Sequence, residues 1–148
     1  MKQHIPDDDS HIRPDSVDDK TVEAVGKMTE ALEWVERARG DLYELHQKVG
    51  HADELFSESA DDLKEAGHTE LAEIIRSEVA GRNVLPGRWT FQIVEEFNET
   101  YYKHIQAAEQ KVRDELMAGK QHVFESELKE KTRTQGKKDH EARPGPEE

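Results

Sequence analysis

Gly81-Arg82-Asn83-Val84-Leu85-Pro86-Gly87-Arg88-Trp89-Thr90-Phe91 interrupts a sequence that is otherwise charged and regular. Two glycines and a proline mark a turn, because they fix or permit backbone angles that helices exclude. A turn here separates two long helical patterns and folds the chain back on itself. The same stretch keeps Val84, Leu85, Trp89 and Phe91, whereas loops are usually polar. It is therefore either packed down as the plug of a helical bundle or used for recognition.

Upstream, Val22, Val25, Met28, Leu32, Val35, Ala38, Leu42, Leu45 and Val49 recur at steps of three and four. That spacing predicts an amphipathic helix opened by Ser16 as its cap and stopped at Gly50, roughly 50 Å long at about 1.5 Å per residue. Gly26 and Gly40 weaken it. A second helix is expected over 52–66 with Gly67 as its carboxy-terminal cap, and a short third one from Thr69 to the Gly81 turn. Downstream, Val94, Asn98, Tyr101, Ile105, Ala108, Val112 and Glu115 alternate steps of four and three, a heptad that predicts coiled-coil-like packing up to Gly119. A polar Asn98 at a core position of the heptad either fixes register or oligomeric state, as such residues commonly do, or is a partly exposed residue at a helix end. Val123, Phe124 and Leu128 extend the helical signal. Glu33/Arg37, Glu44/Lys48, Glu99/Lys103, Glu109/Arg113, Glu125/Lys129 and Glu127/Lys131 are i,i+4 pairs in the favourable order, read as markers of exposed helix faces. No stretch alternates with period two.

The expectation is an all-α fold: a long helical hairpin or small helix bundle, two long helices bridged by two short ones, over a single domain at 16–132. Residues 1–15 and 133–148, polar and without periodicity, read as disordered tails. Of 148 residues, 37% are charged and 33% apolar, so the core must be thin. Thin cores often complete their burial by self-association, which makes a homodimer or another protein partner the expected company.

Composition excludes several functions. A net charge of -13 repels phosphate backbones, so no nucleic acid is expected. No apolar run approaches the ~18–20 residues that span a bilayer, so no membrane partner is expected. The first residues lack an apolar signal core, and a cytoplasmic location is the resulting expectation. The absence of cysteine removes disulfides, thiolate metal sites and a cysteine nucleophile together. From Gly50 to Ile75 eight acids face one base, Lys64, whereas Arg76, Arg82 and Arg88 dominate the next stretch.

Catalytic constellations are sparse. Glu65-Ala-Gly-His68 is the one Glu-x-x-His motif of the type that di-iron bundles use in pairs, and Gly67 breaks it. His46 and His104 border apolar stripes and read as boundary histidines bonded to carboxylates. No metal, cofactor or catalytic residue is expected. The candidate binding residues are Arg82, Arg88, Trp89 and Phe91, since arginine and tryptophan are enriched in binding hot spots.

Gly81–Tyr102, Gly-Arg-Asn-Val-Leu-Pro-Gly-Arg-Trp-Thr-Phe-Gln-Ile-Val-Glu-Glu-Phe-Asn-Glu-Thr-Tyr-Tyr, resembles a segment of small helical actinobacterial proteins without assigned activity. The resemblance implies a bacterial cytoplasmic origin and supplies no catalytic residue. Three function classes remain open. One is a non-enzymatic protein-interaction or structural module. Another is a module that binds a small anion at Arg82, Arg88 and the start of the last long helix. The third is a metal-dependent helical-bundle enzyme.

Overall fold

The computed structural model describes residues 9–145. The beginning of the expected amino-terminal tail and the last three residues of the carboxy-terminal one lie outside them. The protein is all-α. The helices are α1 (Asp19–Glu65), α2 (Thr69–Ile74), α3 (Thr90–Glu96), α4 (Lys103–Met117) and α5 (Val123–Thr132). A π-helical segment, Ile75–Val79, continues α2, and another, Phe97–Tyr102, joins α3 to α4. Among the described residues there is no strand, only an isolated bridge between Leu85 and Arg88. The contacts sort the chain into two compact units, one made of the residues up to Glu33 with those from Ile105 onward, the other of Trp34–His104.

Helix α1 corrects two expectations. It starts at Asp19, not after a Ser16 cap: Ser16 has φ 67, and Asp18 accepts the Thr21 amide at 2.8 Å. It also runs through Gly50 to Glu65 instead of stopping. A glycine inside a helix costs only ~1 kcal/mol, and the residues after Gly50 are good helix formers. The stop comes at Gly67, at φ 90, where the His68 amide bonds the Leu63 carbonyl at 2.8 Å and the Gly67 amide bonds Lys64 at 3.1 Å. That is a Schellman cap, as the sequence predicts at this glycine.

The first unit has a small apolar core of Val22, Val25, Met117 and Val123, with Val17 and Val112 packed against it. Gly26 lets the Phe124 ring lie on α1: a Cβ there would come within 3.1 Å of the Phe124 Cβ. Beside this core sits a buried ion pair. Arg113 Nε donates to Glu109 Oε1 at 3.0 Å, its Nη1 to the Gly119 carbonyl at 2.7 Å and its Nη2 to Gln110 Oε1 at 2.7 Å, while Thr29 donates to Glu109 at 3.2 Å. Glu109/Arg113 thus does not mark an exposed face. Residues 9–18, read from sequence as tail and helix cap, also carry contacts: Arg13 donates to Glu127 Oε1 from Nε at 3.1 Å, and Lys120 donates to the Ile12 carbonyl at 3.0 Å.

In the second unit α1 runs antiparallel to α3 and the adjoining π segment, joined by polar bonds. His46 Nδ1 meets Thr90 Oγ1 at 2.6 Å, Arg39 Nε donates to Asn98 Oδ1 at 2.9 Å, Asn98 donates to the Tyr43 hydroxyl at 3.2 Å, and Tyr102 bonds Glu36. Asn98 is thus half-buried and bonded to both Arg39 and Tyr43 of α1. Ala38 and Leu45, read as part of the buried stripe, are exposed, and Arg39 and His46 take the inner positions instead. Downstream the heptad slips for a geometric reason. A π turn closes through i→i+5 bonds and adds a residue, which rotates the helix beyond it. Tyr102 rather than Tyr101 turns inward, and burial then falls on Glu109, Arg113 and Met117 rather than on Glu115.

Glycine substitutions separate these environments. A Cβ at Gly40 or Gly50 meets nothing within 4 Å, so Gly40→Ala and Gly50→Ala should each raise stability in urea melts by up to ~1 kcal/mol. Gly26→Ala should give no such gain, because the Phe124 ring must move. Arg113→Met should cost about 3–5 kcal/mol by stranding the Glu109 carboxylate; a cost below ~1 kcal/mol would show that water reaches the pair.

Candidate functional site

The turn between the two helical patterns is built by its own sequence. Gly81, at φ 76, closes the preceding π segment, and its amide donates to Asp53 Oδ1 at 2.8 Å. Leu85-Pro86-Gly87-Arg88 forms a tight reversal in which the Arg88 amide bonds the Leu85 carbonyl at 2.9 Å and the Leu85 amide returns a bond at 3.2 Å. Proline second and a positive-φ glycine third (φ 74) are what a type II turn requires. At the start of α3, Gln92 Oε1 accepts the Trp89 amide at 2.8 Å.

The four candidate binding residues sit differently. Trp89 is half-buried, and Phe91 is 48% exposed. Leu85 at 50% and Val84 at 40% are also outside. Arg82 is exposed, and its Nη1 donates to the Glu78 carbonyl at 3.5 Å. Arg88 is committed. It holds both oxygens of Glu96, from Nη2 at 3.1 Å and from Nε, and its Nη1 donates to the Pro86 carbonyl at 3.3 Å. The guanidinium keeps the Glu96 carboxyl below the ordinary carboxylate range, and Glu96 in turn raises Arg88. An incoming anion would have to displace Glu96.

Thr90, missed by sequence reasoning, is the fully buried residue of the segment. Its hydroxyl satisfies His46, where a carboxylate partner was expected for that histidine. The signal was weak: a threonine flanked by two aromatics gives no hint that it, rather than they, turns inward. His104 is exposed.

Two features of the first unit also lie outside the sequence reading. A cavity of about 380 Å³ is lined by Arg13, Glu127, Lys129 and Glu130 among others. Glu127 Oε2 is buried without a hydrogen-bond partner, while Oε1 takes Arg13. Glu33, His122 and Glu125 form a cluster with potential ligand atoms within 4.8 Å of one another. His122 Nδ1 lies 3.7 Å from Glu125 Oε2.

Comparisons with protein-family models, with curated proteins and with solved structures returned no match.

Three measurements check this geometry. Because its folded value is depressed, Glu96 contributes stability above the ordinary carboxylate range and loses it as pH falls through the folded value. NMR titration should place Glu96 below a free glutamate in the native chain and at the ordinary value in Arg88→Ala, whose melting temperature should barely change. Trp89→Ala should cost roughly 1–3 kcal/mol in urea melts, less than the ~3–5 of a fully buried ring. Elemental analysis should find no stoichiometric metal; one ion per chain lost in His122→Ala would contradict this.

Proposed function

We propose that the chain is a non-enzymatic protein-interaction or structural module of the bacterial cytoplasm, working through the apolar faces of Trp34–His104. One observation carries the reading. Of the large apolar side chains in this unit only Val94 is buried, while Trp34, Leu55, Leu71, Leu85 and Phe91 lie about half or more open to solvent. Scattered apolar residues on a surface are ordinary; a unit that leaves about half of its large apolar side chains exposed has apolar surface to place against something else.

The titration pattern supports a structural rather than a catalytic use of charge. Asp18, Glu96 and Glu130 are all displaced downward, by Thr21, Arg88 and Arg133 respectively. A general acid needs the opposite displacement, through burial or a like charge. No helix among the described residues is long and apolar enough to cross a membrane.

A photoreactive phenylalanine analogue in place of Phe56, Leu71 or Phe91, with Glu95 as the polar control, tests the reading in cells. Discrete heavier adducts at the apolar positions and none at Glu95 are expected. Equal labelling at all four, or none anywhere, would contradict it.

A further inference from the structure

Resting on that reading, we infer that the partner on α1 is a second copy of the chain, docked antiparallel along a stripe from Trp34 to Phe56. Trp34, Leu45 and Phe56 are 62%, 43% and 43% exposed and succeed one another at intervals of eleven residues. Eleven residues make three helical turns plus about 20°, so the three side chains form one nearly straight line. The small residues Ala38 and Ala52 lie on the same line, and Ala38 is exposed. The line is distinct from the inner face, where Arg39 and His46 bond Asn98 and Thr90. The Arg37 guanidinium sits 4.5 Å from the centroid of the Trp34 ring, bracing it at the surface.

The stripe is its own complement. A two-fold axis through Leu45 puts Leu45 against Leu45, Ala38 against Ala52, and Trp34 against Phe56, with the same residue sum at each level. Isologous contact of this kind is what closed dimers use. Charge agrees with the direction. Asp41 and Lys48 lie along one edge of the line, both exposed. Antiparallel pairing brings each Asp41 level with the other copy's Lys48 on the same side of the seam, whereas parallel pairing puts the two copies' Asp41–Lys48 edges on opposite sides, where they cannot pair. From Trp34 to Phe56 five acids face three bases, so this stretch carries only a small part of the net charge of -13. A contact ~33 Å long and one helix wide, ~10 Å, covers about 330 Å² of each copy, below the ~1,200–2,000 Å² in total of stable specific interfaces and in the range of weak, reversible ones. The dimer is therefore concentration-dependent, dissociating on dilution.

Because the chain has no cysteine, single cysteines report the register directly. With a short bis-maleimide, Leu45→Cys should couple to itself, Gln47→Cys on another face should not, and Trp34→Cys should couple to Phe56→Cys in a mixture but not to itself. Sedimentation equilibrium should show a reversible dimer, with Leu45→Asp weakening it at least tenfold at unchanged helicity. Asp41→Lys or Lys48→Asp should weaken it several-fold and the double exchange restore it. Self-coupling of Trp34→Cys would overturn the direction, and a wild type monomeric at every concentration would overturn the dimer. In that second case, surviving photo-adducts to another protein would leave the interaction reading standing, and their loss would end both.

Discussion

The buried Glu109–Arg113 pair constrains the first unit more than any apolar contact does. Two charges removed from water are tolerated only when every remaining donor and acceptor is met. Here the partners are Thr29 of α1, Gln110 one turn away and the carbonyl of Gly119 beyond the end of α4. All must arrive together, so the pair fixes the level of α1 against α4 and the exit of the chain toward α5. The neighbouring core of Val22, Val25, Met117 and Val123 is small. It supplies the attraction, and the polar cluster supplies the position.

The second unit applies the same economy with less apolar burial. His46–Thr90, Arg39–Asn98–Tyr43 and Tyr102–Glu36 tie α1 to the opposing helix along its length, and Asp53 holds the Gly81 amide. The Arg39 guanidinium also lies 4.1 Å from the Tyr102 ring centroid. Such bonds are directional and fix register, but each adds only ~0.5–1.5 kcal/mol net. These polar residues share the inner side with half-buried apolar ones such as Leu42 and Phe97, while other apolar residues stay outside. Exposed apolar faces and polar inner seams are two consequences of one arrangement.

Much of this was legible in the sequence. Periodicity located the helices, Gly67 announced the cap that ends α1, and Pro86-Gly87 announced the reversal. Asn98 stands out in the sequence because it interrupts a heptad, and it bonds Arg39 and Tyr43 across to α1. The parts that were not legible had physical causes. Gly50 reads as a stop, yet nothing after it opposes a helix. The π segments leave no periodic signature, so the phase slip that exchanges Tyr101 for Tyr102 and buries Glu109 and Arg113 was invisible. Ala38 and Leu45 were assigned to the buried stripe because apolar residues at helical spacing ordinarily face the core; Arg39 and His46 replaced them only because Asn98 and Thr90 stand opposite. At the turn, arginine and tryptophan in one segment point to binding, and no local pattern shows that Glu96, eight residues on, occupies Arg88.

If α1 pairs with a second copy, its apolar line is open in the single chain and covered in the associated one. The chain has two tryptophans, so Trp89→Phe leaves Trp34 as the only one. Acrylamide quenching of its fluorescence, tracked from dilute to concentrated protein, measures that covering directly. Quenching that is efficient in dilute solution and falls as concentration rises is the predicted result. Quenching that is independent of concentration, up to the solubility of the protein, would contradict it.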